Sequence, residues 1–210
     1  MAIALWKAAD QQDFTQANLL VDQEYRTSHY RLPKDPVLTD IRTAFPDTTV
    51  LITKDDSGTI SGTIALIPDT ERGLPIDTVF HEELSALRGQ GVHLGEIGRL
   101  AVRSTVPTNP DSKKILPALY ASIFARGLFL KIDAFVITSN PKHEPLYQQF
   151  GFKILGSEKP YPNLKNAPAL GRILFLKDTD TNSFRFLPKN PPDILFPADF
   201  ETGKEPLFFL

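Results

Sequence analysis

Apolar residues recur along the chain at spacings that predict alternating helices and strands. Between residues 13 and 29 apolar side chains return every three or four positions, which is the spacing of one face of an α-helix. A β-branched run at 48–53, a turn at 55–58 and a second apolar run at 59–67 follow. This order predicts a helix that leads into a β-hairpin.

The same alternation continues through the rest of the chain. Helices are expected at 39–44, 79–88, 111–131 and 141–150, and strands at 92–103, 133–138, 152–156 and 170–176. Asp77 or Thr78 is expected to cap the helix at 79–88. Strands that alternate with helices predict an α/β (α+β) domain with a mixed central sheet flanked by helices.

Residues 178–210 differ from the preceding chain. They contain five prolines and several phenylalanines, with little periodicity. The stretch is too apolar for a free linker. The sequence therefore predicts a domain at 1–177 and an extended C-terminal tail at 178–210 that packs on the domain or on a partner subunit.

Charge and composition exclude several classes of protein. The net charge is −2, without the basic excess of a general nucleic-acid binder. The chain has no cysteine, which excludes a disulfide framework, a cysteine zinc site and a cysteine nucleophile. Its four histidines are scattered, so no metal site is predicted. No signal peptide and no membrane span is expected, and a cytoplasmic location is predicted.

Glu96 and Arg99 are two charges inside the apolar strand predicted at 92–103. Residues three apart in a regular strand point to opposite faces. A bulge at Gly98 would bring both side chains to one face, since glycine makes a bulge cheap. Charges in such a place are costly unless they are paired. A structural ion pair, and a catalytic carboxylate beside an anion-binding guanidinium, are both compatible with this pattern.

Tyr147 is the second candidate for chemistry. It lies on the short helix predicted at 141–150, just before the Phe150-Gly151-Phe152 run. Its hydroxyl group either packs under the sheet with a local partner or donates a proton to a departing thiolate. His143 on the same helix is expected to be a turn or surface residue.

Four sequence blocks carry a resemblance to a known family over residues 16–176. The blocks are DQEYR at 22–26 with Tyr30, LGEIGRLAV at 94–102, NPKHEPLY at 140–147 followed by FGF at 150–152, and YPN at 161–163 with NAPA at 166–169. Together they resemble the GNAT acyltransferase fold and, within it, the long-chain N-acyl amino acid synthases. These are distant relatives of the acyl-homoserine-lactone synthases.

The resemblance implies that a fatty acyl group passes from an acyl-phosphopantetheine thioester to the α-amine of an amino acid, with no bound cofactor. Glu96 would be the base, Arg99 would hold Glu96 or the acceptor carboxylate, and Tyr147 would protonate the leaving sulfur. Backbone N–H groups near Leu100 and Ala101 would polarise the thioester carbonyl. The implied donor-binding residues are Leu100, Ala101, Val102, Arg103 and Asn140. The implied acceptor-binding residues are Tyr25, Arg26 and Tyr30.

One departure from ordinary acetyltransferases bears on the donor. Those enzymes hold the coenzyme A pyrophosphate in a glycine-rich loop after the central strand, whereas residues 104–114 contain no glycine. Acyl carrier protein, the donor that the resemblance implies, needs a basic docking surface instead. The candidates for that surface are Arg103, Lys113, Lys114, Arg126 and Lys142, although a solvated helix face explains these charges equally well.

Two other functions stay open at this point. The first is a coenzyme-A-dependent GNAT N-acetyltransferase that acts on a small amine. The second is a binding module that keeps the fold without the chemistry.

Overall fold

The computed structural model of the chain describes residues 4–8, 10–27, 41–55, 57–103, 112–162, 166–178 and 207–208. Within them the α-helices are α1 (Gln11–Thr27), α2 (Ile41–Ala44), α3 (Asp77–Gly89), α4 (Ser112–Phe129) and α5 (Glu144–Gln149). The strands are β1 (Ala4–Lys7), β2 (Thr49–Lys54), β3 (Ile60–Pro68), β4 (Leu94–Val102), β5 (Ala134–Ser139), β6 (Lys153–Ile154), β7 (Lys159–Tyr161), β8 (Ala167–Phe175) and β9 (Leu207–Phe208). A 3-10 turn, Pro141–His143, leads into α5.

The strands form a mixed sheet in the order β6-β8-β5-β4-β3-β2-β1-β9, and β7 also pairs with β8. The pairings are antiparallel except between β4 and β5, which run parallel in the middle of the sheet. Helix α4 connects these two strands, as a parallel crossover requires. The predicted mixed α/β sheet flanked by helices is therefore confirmed.

The two faces of the sheet bury separate apolar groups. Helices α4 and α5 cover one face, where Leu66, Ile97 and Ile137 pack with the buried side of α4. Helices α1 and α3 cover the other face in two clusters, one around Leu20 and Ala65 and one around Phe80, Ile67 and Val136. These faces are called the α4 face and the α1/α3 face below.

The predicted helices and strands occur close to their expected positions, but three short strands were not predicted. Strand β1 pairs with β2, β7 pairs with β8, and β9 pairs with β1. Strand β7 contains Pro160, which cannot donate to a ladder and is typical of a sheet edge. Strand β9 has only two residues and directly follows Pro206. Neither has the length or the alternation that identifies a strand from sequence.

The expected cap of α3 is wrong. The helix begins at Asp77 after Ile76, and no side chain caps it. The Asp77 carboxylate accepts from the Leu74 N–H at 2.7 Å and from Arg88, so it is engaged in a turn and an ion pair. Helix α4 also differs from expectation, because residues 118–127 are buried on every side and not only along one stripe.

Of the predicted tail, the structure describes little beyond β9, which pairs with β1 at the sheet edge. The division at residue 177 remains a prediction.

No helix in the described ranges combines the length and the apolar character needed to cross a membrane.

Candidate active site

The centre of the sheet opens where β4 and β5 separate. The two strands pair only from Leu94 with Ala134 to Glu96 with Val136. Beyond that point β4 continues to Val102 and β5 to Ser139 without pairing to each other. The backbone groups on the facing edges are therefore available to a ligand. A crevice at the carboxyl ends of neighbouring parallel strands is a common location for ligands in α/β sheets.

A bulge in β4 places Glu96 and Arg99 on the same face. The register between β3 and β4 shifts so that Ile64 alone stands opposite Arg99 and Leu100, between the pairs Thr63–Ala101 and Ala65–Gly98. The bulge lies one residue beyond the predicted position. Arg99 itself adopts a left-handed conformation with φ of 53°, which is uncommon for a residue with a side chain.

Glu96 is buried on the α1/α3 face, with 6% of its surface exposed. Its Oε2 atom accepts a hydrogen bond of 2.7 Å from the backbone N–H of Ile76, just before α3. Burial raises the pKa of Glu96 from 4.5 to about 8; the bond from Ile76 opposes this rise and the nearby Asp77 charge adds to it. Such a carboxyl group changes protonation near neutral pH, as a general base must.

The Arg99 guanidinium lies on the same face beside α1. Its Nη1 atom donates to the Asn18 side-chain oxygen at 3.2 Å. A small pocket next to it holds about 10 Å³, room for roughly one water molecule. The residues that line it are Phe14, Ala17, Asn18, Val21, Ile41, Val50, Thr63 and Arg99. It is far too small for a fatty chain.

Tyr161 completes this face, although sequence reasoning gave it no role in the site. Burial, together with the charge of Glu96, raises the pKa of the Tyr161 hydroxyl, while Thr78 and Arg99 act in the opposite direction. The hydroxyl group therefore lies within electrostatic reach of both predicted catalytic charges. Its place in the YPN block was the available signal, but strand β7, which carries it here, was not predicted.

Tyr147 lies on the α4 face, across the sheet from Glu96. Its ring packs edge-on against Phe152 with centroids 5.9 Å apart. Tyr120 of α4 stacks on Phe150 at 4.3 Å. The buried Tyr120 hydroxyl makes no hydrogen bond of good geometry, although burial and then the neighbouring Tyr147 hydroxyl raise the pKa of Tyr120. Burial therefore keeps the Tyr120 hydroxyl group protonated.

A fully buried arginine on the α4 face was also missed by sequence reasoning. Arg172 of β8 is 0% exposed, and its Nη2 atom forms an ion pair of 3.2 Å with Glu144 at the start of α5. Its guanidinium nitrogens make no hydrogen bond of good geometry. Gln148 donates to the same Glu144 oxygen at 3.0 Å. This pair ties the helix that carries Tyr147 to the sheet.

The predicted donor-binding residues are spread along the opening. Leu100 and Val102 pack towards the α4 face and Ala101 towards α1. Arg103 donates to the Ile60 carbonyl oxygen at 2.9 Å. The Asn140 side chain, at the end of β5, accepts from the Lys142 N–H at 3.0 Å and so caps the 3-10 turn.

The predicted acceptor-binding residues and docking charges differ in exposure: some are exposed, some are buried, and some lie outside the described residues. Tyr25 is half-buried against the apolar cluster around Leu20 and Ala65, whereas exposed Arg26 forms an ion pair of 2.7 Å with Asp22. Tyr30 and the glycine-free stretch 104–111 lie outside the described residues. Arg126 does not fit a docking surface, because it is 8% exposed and donates to Thr49. Lys142 is exposed, and the side chains of Lys113 and Lys114 are not described.

In the part of the chain that the structure describes, no three histidine, aspartate or glutamate side chains come together as a metal ion would require.

The separated parallel strands, the bulge and the buried carboxyl group define a GNAT-fold acyltransferase. Two solved structures share this fold: the acyl-homoserine-lactone synthase LasI and aminoglycoside 6'-acetyltransferase type Ii. LasI is 13% identical with a TM-score of 0.64, covering 87% of this chain and 93% of LasI. The acetyltransferase is 14% identical with a TM-score of 0.56, covering 84% of this chain and 99% of its own.

The chain belongs to the family of the N-acyl amino acid synthase FeeM, whose family model matches residues 16–172. The solved structure of FeeM, an N-acyl amino acid synthase from uncultured soil microbes, is 27% identical with a TM-score of 0.72. That likeness covers 83% of this chain and 90% of FeeM. None of the curated proteins compared with the chain matches it.

Proposed function

We propose that this acyltransferase moves a fatty acyl group from the thioester of an acyl carrier protein to the α-amine of an amino acid. The single observation that supports this most is the buried Glu96 carboxyl group at the point where β4 and β5 separate. Membership of the FeeM family favours an N-acyl amino acid as the product. A cytoplasmic location belongs to the same proposal, because the donor protein is found there.

The two faces of the opening take different substrates in this proposal. The acceptor lies on the α1/α3 face, where Glu96, Arg99 and Tyr161 offer a carboxylate, a guanidinium and a phenol. Arg99 binds the acceptor carboxylate, a task that suits its planar fork. Tyr25 lies on α1 beside this face, and with Arg26 and Tyr30 it stays a predicted acceptor contact. The pantetheine arm enters between the strands, beside the unpaired edge of β4.

Proton transfer follows from the position of Glu96. The ionised carboxylate takes the proton that the acceptor ammonium must lose, directly or through a water molecule, and the free amine then attacks the thioester carbon. This attack forms the C–N bond of a tetrahedral intermediate, the nitrogen loses its second proton to solvent, and the C–S bond breaks as the intermediate collapses. A backbone N–H group near Leu100 and Ala101, on the edge of β4 that faces β5, stabilises the oxyanion of that intermediate. Tyr147 gives its proton to the departing thiolate from the α4 face.

The residues after β4 and the exposed charges near the opening bear on the identity of the acyl donor. The stretch 104–114 contains no glycine, whereas the loop that holds the coenzyme A pyrophosphate in acetyltransferases is glycine-rich, and this favours a carrier protein. Of the proposed docking charges, exposed Lys142 stands near the end of β5. Arg103 lies at the end of β4 but is engaged with the Ile60 carbonyl oxygen.

The test is a transfer assay with the purified full chain. The same fatty acyl group is supplied on acyl carrier protein and on coenzyme A, with each of the common amino acids as acceptor. Thiol release and the mass of the product are measured together, and the Glu96→Gln variant is the control. The proposal expects an N-acyl amino acid from the carrier-protein donor. A parallel reaction contains acetyl-coenzyme A and a small amine. Product from that reaction alone would replace the proposal with the acetyltransferase alternative, and no product from any pair would contradict it.

A further inference from the structure

An ion-pair network lies directly behind the turn that contacts Glu96. Arg88, in the last turn of α3, donates from Nε to Asp69 Oδ2 at 2.6 Å and from Nη2 to Asp69 Oδ1 at 3.0 Å. The same guanidinium donates from Nη1 and Nη2 to the two oxygens of Asp77 at 2.7 Å each. One arginine thus clamps two carboxylates, with 28% of its side chain exposed. Paired forks of this kind fix geometry as well as charge.

The clamp fixes the turn between β3 and α3. Asp77 Oδ2 also accepts from the Leu74 N–H at 2.7 Å, and the Asp77 N–H donates to the Leu74 carbonyl oxygen at 3.0 Å. Gly73 permits this approach, because a Cβ atom there would lie 2.8 Å from Asp77 Oδ2. Ile76 stands inside this closed turn, is fully buried, and donates its N–H to Glu96 Oε2 at 2.7 Å.

We propose that Asp69, Arg88 and Asp77 form a positioning network that holds the Ile76 amide against the Glu96 carboxyl group. The inference rests on the proposed role of Glu96 as the base. None of the three residues contacts substrate in it. They act through the turn at 73–77, and Arg88 also offsets the Asp77 charge that faces Glu96.

Other groups that act on Glu96 are few in the described part of the chain. Asp77 of α3 raises the pKa of Glu96. Tyr161 of β7 and Arg99 of β4 lie on the same face, and exposed His81 reaches Asp77 at 3.6 Å. The neighbours from β3 and β5, Ile67 and Val136, are apolar. Substitutions of Arg88 and Asp77 should therefore have the largest effect on the pKa of Glu96.

The test uses two variants with opposite electrostatic effects. Asp77→Asn removes a negative charge near Glu96 but keeps an oxygen for the Leu74 N–H, so Glu96 should lose its proton at lower pH. Arg88→Met leaves both aspartates uncompensated, so Glu96 should lose its proton at higher pH. The acid limb of kcat/KM should move in these opposite directions by roughly half a pH unit or more. Carboxyl carbon-13 NMR should show the same shifts, with the Glu96 signal assigned from Glu96→Gln.

Two further variants keep the test decisive. Arg88→Lys retains the charge without the fork, so it should lower kcat while the pH limb stays near its original position. Lys54→Met breaks a matched ion pair, Lys54 with Asp13 at 2.9 Å, far from Glu96 and should change neither readout. The proposed network would be wrong if the acid limb of kcat/KM stayed in place in both Asp77→Asn and Arg88→Met, or if it moved in the same direction in both. If the chain transfers no acyl group, the proposed function fails, and the NMR titration still tests the network.

Discussion

On the α1/α3 face of β4, the buried polar groups are joined to one another through the backbone and neighbouring helices. Glu96 accepts from Ile76, Arg99 donates to Asn18, and Asp77 is held by Arg88. On the α4 face, several buried hydroxyl groups are surrounded by apolar side chains, and the Arg172–Glu144 ion pair joins β8 to α5. Tyr120, Ser122 and Ser139 hydroxyls there make no hydrogen bond of good geometry.

This difference shows which face is organised for charge. A reaction that moves a proton from an ammonium group needs a carboxylate at a fixed place. The α1/α3 face provides Glu96, which is buried and held by the Ile76 N–H, whereas Glu144 on the α4 face is already paired with Arg172. The α4 face offers aromatic and aliphatic surface around the Tyr120 and Tyr147 phenols, which suits a thiol leaving group better than an ion. Substitutions on one face at a time should therefore affect different steps of the reaction.

The largest expected effect comes from Glu96→Gln, which should change activity and stability in opposite directions. Loss of the base should lower kcat/KM by roughly 10²–10⁴-fold. Glu96 holds its proton in the folded state up to about pH 8 but ionises near pH 4.5 when unfolded, so its burial costs stability as pH rises through that window. The variant should gain up to roughly 5 kcal/mol of unfolding free energy at pH 9 and less at pH 6. Denaturant unfolding at both pH values checks this. If the variant were less stable than wild type at pH 9, burial of Glu96 would not cost stability as proposed.

The pH dependence of the wild-type enzyme is the next largest effect. The base must be ionised, and its pKa is raised to about 8. The rate should therefore fall with decreasing pH, by about tenfold per unit well below that value. Steady-state kcat measured between pH 6 and 10 at saturating acceptor checks the limb. The residual activity of Glu96→Gln should not show this fall of kcat with decreasing pH. The same fall in that variant would mean that another group titrates.

Arg99→Lys should damage acceptor binding although the charge is kept. Lysine lacks the planar fork that reaches Asn18 and would bind a carboxylate with two bonds. The acceptor KM should rise roughly 10–100-fold, with the donor KM little changed. Arg72→Lys is the matched control, since Arg72 makes one exposed bond to the Ala44 carbonyl oxygen. An unchanged acceptor KM in Arg99→Lys would remove Arg99 from the acceptor site.

From the sequence, a bulge in β4 was the condition for Glu96 and Arg99 to share a face, because two charges and a glycine inside an apolar run indicate an irregular strand. The sequence located the bulge one residue away, since Arg99 adopts the left-handed conformation that glycine usually takes. Tyr147 was identified as a candidate from the short helix before a Gly-Phe pair.

Other parts of the site depend on contacts between residues far apart in the chain. Arg172 is a single charge in an otherwise apolar strand, and the strand pattern alone does not show that it is buried. Its complete burial follows from the packing of α4 and α5 over it. Asp77 has the residue type of a helix cap, but Arg88 competes for its carboxylate. Tyr161 lies on a strand that contains proline and is too short to predict. Local patterns identify the elements, whereas these partners come from tertiary packing.

The two tyrosines of the α4 face should respond differently to loss of the hydroxyl group. Tyr147→Phe keeps the packing on Phe152 but removes the proposed acid, so kcat should fall by about tenfold or more. Tyr120→Phe removes a buried hydroxyl group beside the Tyr147 hydroxyl, so stability should change by no more than about 1 kcal/mol, and kcat should fall less than in Tyr147→Phe. Thermal unfolding and kcat of both variants check the pair. Equal kcat in the two variants would show that Tyr147 serves packing alone.

The smallest expected effect concerns the space between Glu96 and Arg99. A Cβ atom at Gly98 would meet nothing within 4 Å, so Gly98→Ala should fold normally. The added methyl group projects from β4 on the α1/α3 face, beside the proposed acceptor. One methyl group in a binding site changes affinity by about 1 kcal/mol or more, so the acceptor KM should rise roughly fivefold while the donor KM stays the same. Gly89→Ala, where a Cβ atom also meets nothing within 4 Å, is the control for the substitution itself. Since neither change perturbs packing, a rise in donor KM instead would move the acceptor to the α4 face and reverse the contrast between the two faces.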